Sequence, residues 1–350
     1  MDKSKNQPLV SVIMPIFNAD KYLNASLQSV TCQTYKNLEI ICINDESTDN
    51  SINILETWTK KDKRIKLISQ KNRGAGAARN RGMEEAKGQY TLFFDADDVL
   101  SKNMIRTLVN TATINDTDII IYGYYKFSAW KKIYTNYSVK SFGIPLNKVI
   151  APETISQCLF QVDHGMPWNK FYKTDFIKKT NVKFQELKNT NDEFFSRLTT
   201  VQAKRMLILE NKLIGYRVEN SNSLQKNVKD YVLDCTCALR QIHDELKNKG
   251  YYEKYYKTYQ RLAGYIIILK LLAVVDSEAF DILAAEICNN TIEQCEIKEE
   301  YLDDYYKKAF RFLKESNISK AKEELLDTKA NEKHMSIKQK IKCILYLFLG

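Results

Sequence analysis

Three carboxylates follow a short apolar run in segment 93–98, whose sequence is FFDADD. The two phenylalanines are typical of the end of a buried strand. If the strand continued past Phe94, its alternation would turn Asp95 and Asp97 to the same side. Carboxylates placed together repel each other, so the pattern favours a site where a hard divalent ion such as Mg²⁺ or Mn²⁺ neutralises them and also binds substrate phosphates. Taken alone, the run also fits a solvated acidic turn.

The composition is that of a folded globular protein. The chain has 350 residues, of which 44% are hydrophobic and 27% charged, enough for one large domain and a smaller one. The net charge of +10 comes mostly from scattered lysines without a nucleic-acid-binding motif, so no nucleic acid is expected as a partner. Three histidines and eight scattered cysteines argue against a zinc site. With no signal or membrane-spanning segment expected, the sequence predicts a cytoplasmic protein.

Short apolar runs alternate with helical stretches over the first 125 residues. Strands are predicted over 10–14, 38–43, 65–68, 90–94 and 118–125, and helices over 20–31, 76–86, from a cap at Ser47 or Thr48, and from a cap at Ser101. This alternation predicts an α/β fold with a mostly parallel sheet covered by helices on both faces. Ligands of such sheets bind beyond the carboxyl ends of the strands, so we expect Asp45 and Asp95 to converge there.

The second half of the chain follows a different pattern. Segment 126–220 is less regular, and the sequence then becomes helical, with Leu262, Tyr265, Ile266 and Leu269 forming the stripe of a packed helix. We therefore predict three parts: a catalytic domain over 1–220, a helical domain over 221–335 and a basic amphipathic tail over 336–350. The tail could lie on an anionic membrane surface or dock on protein. Two copies of the chain could pair through the tyrosine-rich helices.

Four separated motifs occur together, at 12–18 (VIMPIFN), 43–49 (INDESTD), 72–82 (NRGAGAARNRG) and 93–98. Their order and content closely resemble family 2 glycosyltransferases, whose catalytic domain has the Rossmann-like GT-A fold. The resemblance is strong over the first 125 residues and looser to about residue 220. It implies inverting transfer of a sugar from a UDP-sugar to a hydroxyl of a bacterial surface glycan, such as capsule or lipopolysaccharide, or of a lipid-linked oligosaccharide. A lipid-linked acceptor would favour a position at the inner face of the cytoplasmic membrane, and the alternative is a cytoplasmic enzyme without membrane contact.

The resemblance gives the carboxylate run a role at the donor diphosphate. Negative charge develops on the leaving β-phosphate, and Mn²⁺ or Mg²⁺ stabilises that charge as a Lewis acid. By resemblance, Asp97 is the metal ligand, and Asp95 holds the ribose or shares the metal through water. Asp98 either orients these two or faces solvent.

The other upstream motifs are implied to bind the nucleotide. Asp45 would accept the imide proton of uracil, since a carboxylate is an acceptor. Arg79 would lie near the nucleotide or its phosphates, and the base pocket would include Pro15, Phe17 and Asn18.

Segment 191–195 (NDEFF) resembles the region where the family has its general base. Asp192 is the predicted base that takes the proton of the attacking hydroxyl, and Glu193 is its nearest competitor. An acidic first turn of a helix would give the same pattern through the helix dipole. Trp168 and Glu193 are candidates for contacting the acceptor sugar, and packing in the core is an equal alternative for Trp168. The family usually has glycine where Glu46 stands, a departure that bears on base selectivity.

Three other functions fit the sequence less well than sugar transfer. A non-catalytic nucleotide-sugar-binding module would be expected to have lost one of Asp95, Asp97 and Asp192. A nucleotidyltransferase would have a glycine-rich basic loop near the first strand, where 15–18 (PIFN) stands. A nicotinamide enzyme would need a third glycine where Arg79 stands.

Overall fold

A computed structural model describes residues 7–128, 132–133, 143–218 and 228–334. Within these ranges a single mixed sheet is formed by β1 (Val10–Ile16), β2 (Leu38–Asp45), β3 (Ile65–Gln70), β4 (Tyr90–Phe93), β5 (Val99–Leu100), β6 (Ile119–Phe127), β7 (Lys132–Ile133), β8 (Val149–Ile150), β9 (Lys170–Lys173) and β10 (Met206–Arg217). The strands expected at the start of the chain are confirmed, and the region after residue 126 adds further strands.

The helices of the first two hundred residues are α1 (Asp20–Thr31), α2 (Ser51–Lys61), α3 (Gly74–Glu85), α4 (Met104–Asn115), α5 (Leu159–Asp163), α6 (Thr174–Thr180) and α7 (Glu193–Gln202). The later part of the chain is helical, as predicted, with α8 (Asp234–Asn248), α9 (Tyr252–Val274), α10 (Ala279–Glu286), α11 (Ile292–Gln294), α12 (Asp304–Lys314) and α13 (Ile318–His334).

The strand order is β3-β2-β1-β4-β9-β6-β10-β5, with β7 beside β6 and β8 beside β10. The first four strands are parallel, as predicted. β9 lies antiparallel between β4 and β6, and β10 runs parallel to β6. Two antiparallel steps restore the direction of β4, so β1, β2, β4, β6 and β10 all point their carboxyl ends to one edge of the sheet. The residues that follow these strands therefore gather at that edge.

The two faces of β1 are covered by different helices. Val12 and Met14 belong to the core formed with the buried residues of α1, α2 and α4. Ile13, one step along the strand, points to the opposite face and meets α3 at Gly82. A methyl group built on Gly82 would lie 2.2 Å from Cγ2 of Ile13, so only glycine allows this approach of helix and strand.

We expect Gly82→Ala to destabilise the protein by about 1–3 kcal/mol, because the added methyl overpacks the contact with Ile13. Arg81→Ala, on the exposed side of the same helix, is the control and should change the free energy of unfolding by less than about 0.5 kcal/mol. Urea denaturation of the two variants measures both values. Equal stability of Gly82→Ala and wild type would show that α3 can move away from β1.

Some predicted element ends are wrong. α2 begins at Ser51 rather than after Ser47 or Thr48, because Asp49 Oδ1 accepts from the Ser51 amide at 2.9 Å. α4 begins at Met104 rather than at Ser101. β4 ends at Phe93, so strand alternation does not set the directions of the carboxylates that follow.

The predicted stripe on α9 is wrong in part. Leu262 and Ile266 are buried, but Tyr265 and Leu269 are 39% and 42% exposed. These two residues lie on a side of the helix that is not packed into the core.

The described residues divide into two compact units. The first comprises those within 1–154, 165–187 and 199–221, and the second those within 155–164, 188–198 and 222–350. The predicted domain boundary at residue 220 stays a prediction, and the predicted tail over 336–350 lies outside the described residues. Among the residues that the structure describes, no helix combines the length and the apolar character needed to cross a bilayer.

Candidate active site

The carboxylate run begins directly after β4 with Asp95, which is half-buried and tied to α3. Its Oδ1 accepts a hydrogen bond from Nη2 of Arg79 at 2.8 Å. Arg79 is 5% exposed, and its guanidinium lies 5.4 Å from the ring centroid of Phe184. The helix that carries the glycine motif therefore places a buried cation against the carboxylate run, and the nucleotide and metal roles of the two residues stay predictions.

Asp98 is fully buried and does not face solvent. Its Oδ1 accepts from the amide of Arg217 at 2.9 Å, and its Oδ2 has no hydrogen-bond partner among the described residues. Burial raises the pKa of the Asp98 carboxyl well above its ordinary value, and the charges of Asp97 and Asp95 raise that pKa further. The hydrogen bond from the Arg217 amide thus ties Asp98, and with it the carboxylate run, to the end of β10.

Arg217, the last residue of β10, holds the backbone of the carboxylate run. Its Nε donates to the carbonyl of Asp97 at 2.8 Å. Its guanidinium lies 4.6 Å from the ring centroid of Tyr22 and 4.4 Å from that of Phe127. In the sequence, Tyr216 and Arg217 are an aromatic–basic pair, which by itself is only a weak signal of this role.

Tyr216 precedes Arg217, and the negative charge of the carboxylate run affects the pKa of its phenol. Burial, followed by the charges of Asp98, Asp97 and Asp95, raises the pKa of the Tyr216 phenol to about 12. The Tyr216 phenol therefore lies within reach of the charges of the carboxylate run.

Asp45, at the carboxyl end of β2, caps the helix that carries Arg79. Its Oδ1 accepts from Nε2 of Gln70 at 2.8 Å and from the Arg73 amide at 3.0 Å, and its Oδ2 accepts from the Gly74 amide at 2.8 Å. The side chain is 2% exposed. Asp45 therefore fixes the start of α3, and its contact with uracil stays a prediction.

The loop after β1 is organised by Asn18. Its backbone is left-handed, with φ of +46°, and its Oδ1 accepts from the amides of Thr48 and Asp49 at 2.8 and 3.3 Å. Pro15 lies within β1, and the side chain of Phe17 is 52% exposed. An exposed aromatic ring at the sheet edge offers a surface on which a nucleobase could stack.

Glu46, in the neighbouring loop, also has a left-handed backbone, with φ of +61°. Glycine adopts this conformation without strain, so the family pattern of glycine at this position has a backbone reason. The Glu46 carboxylate Oε2 accepts from the Asn72 amide at 3.1 Å, which ties the second motif to the third.

Trp168 is 4% exposed and belongs to the core of the first unit. Its ring stacks on that of Tyr216 with centroids 5.3 Å apart and planes 8° apart, and the ring of Tyr124 meets it edge-on at 5.1 Å. Its predicted contact with an acceptor sugar is untested, and the packing seen here positions Tyr216 beside the carboxylate run.

The predicted base and its competitor lie in the second unit, at the start of α7. Asp192 is half-exposed, and its carbonyl accepts from the Ser196 amide at 3.0 Å. Glu193 forms an ion pair with Arg197, in which its Oε2 accepts from Nε of Arg197 at 2.8 Å.

Arg197 joins two acidic residues in the interior of the second unit. Its Nη1 lies 3.4 Å from Oδ2 of Asp163 and donates to the carbonyl of Phe160 at 2.6 Å. The Asp163 side chain is fully buried. Burial raises the pKa of Glu193, and the lowering effect of Arg197 only partly offsets this rise.

The donor groups of the carboxylate run fit a hard divalent cation. They are oxygen atoms alone, and a buried carboxylate oxygen of Asp98 has no protein donor among the described residues. Over the described ranges, no group of three or more histidine, cysteine or acidic side chains is arranged to hold a metal. A cation here would therefore share two carboxylates with substrate phosphates, which is how Mg²⁺ commonly binds.

Similar proteins were found by sequence and by structure. Residues 11–180 match the family described as Glycosyl transferase family 2. The uncharacterized glycosyltransferase EpsJ of Bacillus subtilis is 32% identical over 225 residues, which cover 62% of this chain and 63% of EpsJ. The match thus spans less than two thirds of that relative.

Two solved structures share the fold. TarS of S. aureus, residues 1–349 in complex with UDP-GlcNAc, superposes with a TM-score of 0.68 at 17% identity and covers 92% of each chain. The mannosyltransferase PcManGT of Pyrobaculum calidifontis, in complex with GDP-Man and Mn²⁺, gives a TM-score of 0.55 at 13% identity over 98% of this chain and 86% of that chain. The family that the sequence matches indicate is thus glycosyl transferase family 2, and the matched region, residues 11–180, is just under half of the chain.

Proposed function

We propose that this protein is an inverting, metal-assisted glycosyltransferase that moves a sugar from a UDP-sugar to a hydroxyl of a bacterial surface glycan or lipid-linked oligosaccharide. The observation that carries the proposal is the carboxylate run after β4, held in place by Arg79 and Arg217 at the edge where the parallel strands end. TarS, which shares the fold, is solved with UDP-GlcNAc, and PcManGT with GDP-Man and Mn²⁺.

In this proposal the first unit binds the donor. Phe17 stacks on the base, and Asn18 and Asp45 shape the loops around it. Asp95 and Asp97 would hold Mn²⁺ or Mg²⁺, which when bound supplies Lewis-acid stabilisation of the charge on the leaving diphosphate. Arg79 lies beside Asp95 and adds positive charge close to that position.

Asp192 is the proposed base of the displacement. Its carboxylate takes the proton of the acceptor hydroxyl as that oxygen attacks the anomeric carbon, and the bond to the diphosphate breaks on the opposite face. A single displacement of this kind inverts the anomeric configuration. Glu193 is less suited to this role because its carboxylate is paired with Arg197.

The acceptor side of the proposal includes the membrane. The segment over 336–350 alternates lysines with apolar residues, a composition suited to an anionic bilayer surface. A lipid-linked acceptor would place the enzyme at the inner face of the cytoplasmic membrane.

We expect UDP with Mn²⁺ to raise the melting temperature of the full chain, because a ligand that binds only the folded state stabilises it by mass action. GDP, CDP and dTDP should give smaller shifts, and EDTA should reduce the shift given by UDP. Asp97→Asn should remove the effect of Mn²⁺. Thermal denaturation with each nucleotide at one concentration measures all of these.

Thermal denaturation, together with assays of sugar transfer and pyrophosphate release, tests the alternatives. A GDP-selective shift would move the donor to a GDP-sugar and leave the family unchanged. No shift with any nucleotide would overturn the donor site. A UDP shift without sugar transfer to any glycan fraction would favour the non-catalytic binding module, and release of pyrophosphate would favour a nucleotidyltransferase.

A further inference from the structure

The second unit contains a cavity of about 330 Å³ that the proposed donor site does not use. It lies between α9 and the segment 300–307, which leads into α12. Its volume is at the lower end of the range of small-molecule sites, about 300–1,000 Å³. The exposed residues Tyr265 and Leu269, which depart from the predicted packed stripe, lie at this cavity.

Asp303, one of the residues that line the cavity, has a carboxylate oxygen without a partner among the described residues. Asp303 is 9% exposed, and its Oδ1 caps α12 by accepting from the Tyr305 amide at 2.9 Å. Its Oδ2 is buried and has no hydrogen-bond partner among the described residues. A buried acceptor without a donor costs free energy of folding. A ligand that donates a hydrogen bond to the Asp303 carboxylate would remove this cost.

The lining has one more cation than it has carboxylates. Three cations, Lys257, Arg261 and Lys307, stand with two carboxylates, Glu300 and Asp303. Two of the cations already have partners outside this lining, because Arg261 donates to the carbonyl of Gln157 at 3.0 Å and Lys307 pairs with Asp304 at 2.6 Å. The cavity therefore does not select strongly for an anion or a cation.

Aromatic rings form much of the remaining wall, with Tyr265, Tyr301 and Tyr306 among the lining residues. Flat apolar faces beside a charged acceptor suit a ring that has apolar C–H faces and hydroxyl donors at its edge. We propose that this cavity binds one neutral saccharide ring, with a ring hydroxyl donating to Asp303 Oδ2. That this ring belongs to the acceptor glycan rests on the proposed function, but the binding itself does not.

Saturation-transfer NMR on the full chain tests the proposal. The probes are methyl β-D-glucopyranoside, methyl β-D-galactopyranoside and methyl N-acetyl-β-D-glucosaminide, with sn-glycerol 3-phosphate as the anionic probe. Saturating UDP and Mg²⁺, which is diamagnetic, are present throughout, so that UDP does not leave the nucleotide site open to the probes. At least one glycoside should bind in the millimolar range and more tightly than the phosphate.

Asp303→Asn is the decisive variant. Asparagine still caps a helix, so the fold is kept, but the charged acceptor is lost and glycoside binding should weaken about tenfold. Tyr265→Ala should weaken binding as well. Tyr231→Ala, an equally exposed tyrosine of the same unit outside the cavity, is the matched control and should bind as wild type does.

Three results would overturn the proposal. One is the absence of binding by every glycoside, and another is glycoside binding that Asp303→Asn leaves unchanged. The third is preferred binding of glycerol phosphate that Asp303→Asn strengthens and Lys257→Ala weakens, which would identify an anion site. Failure of the donor assignment would appear separately, as a missing thermal shift with UDP.

Discussion

Replacing Asp192 with asparagine is expected to lower kcat by about 10²–10⁴-fold, because the acceptor hydroxyl loses the group that takes its proton. Donor binding should not change, since this role concerns only the acceptor. Initial rates of UDP release, with the donor selected by thermal shift and a surface-glycan or lipid-linked acceptor fraction, measure the loss.

Glu193→Gln is the matched control for the base. It removes the adjacent carboxylate of the same segment, and activity should fall far less than in Asp192→Asn. The reverse order of the two losses would assign the base to Glu193. A product with the anomeric configuration of the donor would contradict single displacement whichever residue is the base, and NMR of the product decides this point.

Replacing Arg197 with methionine should destabilise the protein by about 3–5 kcal/mol at pH 8, because the change leaves the carboxylates of Asp163 and Glu193 without their buried cation. Arg197 is 2% exposed, so water does not take over its role. Urea denaturation at pH 5 and pH 8 measures the loss.

The pH dependence distinguishes electrostatics from packing. Burial already raises the pKa of Glu193 in the wild type, and loss of Arg197 raises it further. A carboxyl whose folded pKa lies above its unfolded value stabilises the fold below the unfolded pKa, and this contribution is lost as pH rises through the folded pKa. The variant should therefore be more stable at pH 5 than at pH 8.

The double variant Arg197→Met, Glu193→Gln provides the control for this effect. Removing one of the two buried charges should recover part of the stability at pH 8 and reduce the dependence on pH. An equal loss at both pH values in the single variant would instead mean that Arg197 acts through the packing of its guanidinium, which lies 5.3 Å from the ring centroid of Phe160.

The part of the fold that could be predicted from sequence is the part governed by local patterns. Strand–helix alternation placed β1 to β4 and the edge where Asp45 and Asp95 lie. Helix starts were predicted less well, because the first amide of α2, that of Ser51, is held by Asp49, whose position depends on the loop that Asn18 organises. Ser47, the expected cap, accepts instead from the Asn18 amide at 3.1 Å.

Residues that act through distant partners left little signal in the sequence. Asp98 looks like a third ligand in the motif, but it is buried because β10, more than a hundred residues later, supplies the amide of Arg217. The pairing of Arg197 with Asp163 likewise joins α7 to the end of α5. Such contacts depend on the tertiary arrangement, which no local pattern records.

The order of the segments along the chain has a consequence during synthesis on the ribosome. The second unit contains 155–164 and 188–198, which emerge long before α8 to α13. At about 5–20 residues per second, these segments wait several seconds for the helices that complete their unit. A fragment cut at residue 220 would separate Asp163, Asp192 and Arg197 from those helices. Sugar transfer should therefore be recovered when the two halves are co-expressed and be absent when each half is produced alone.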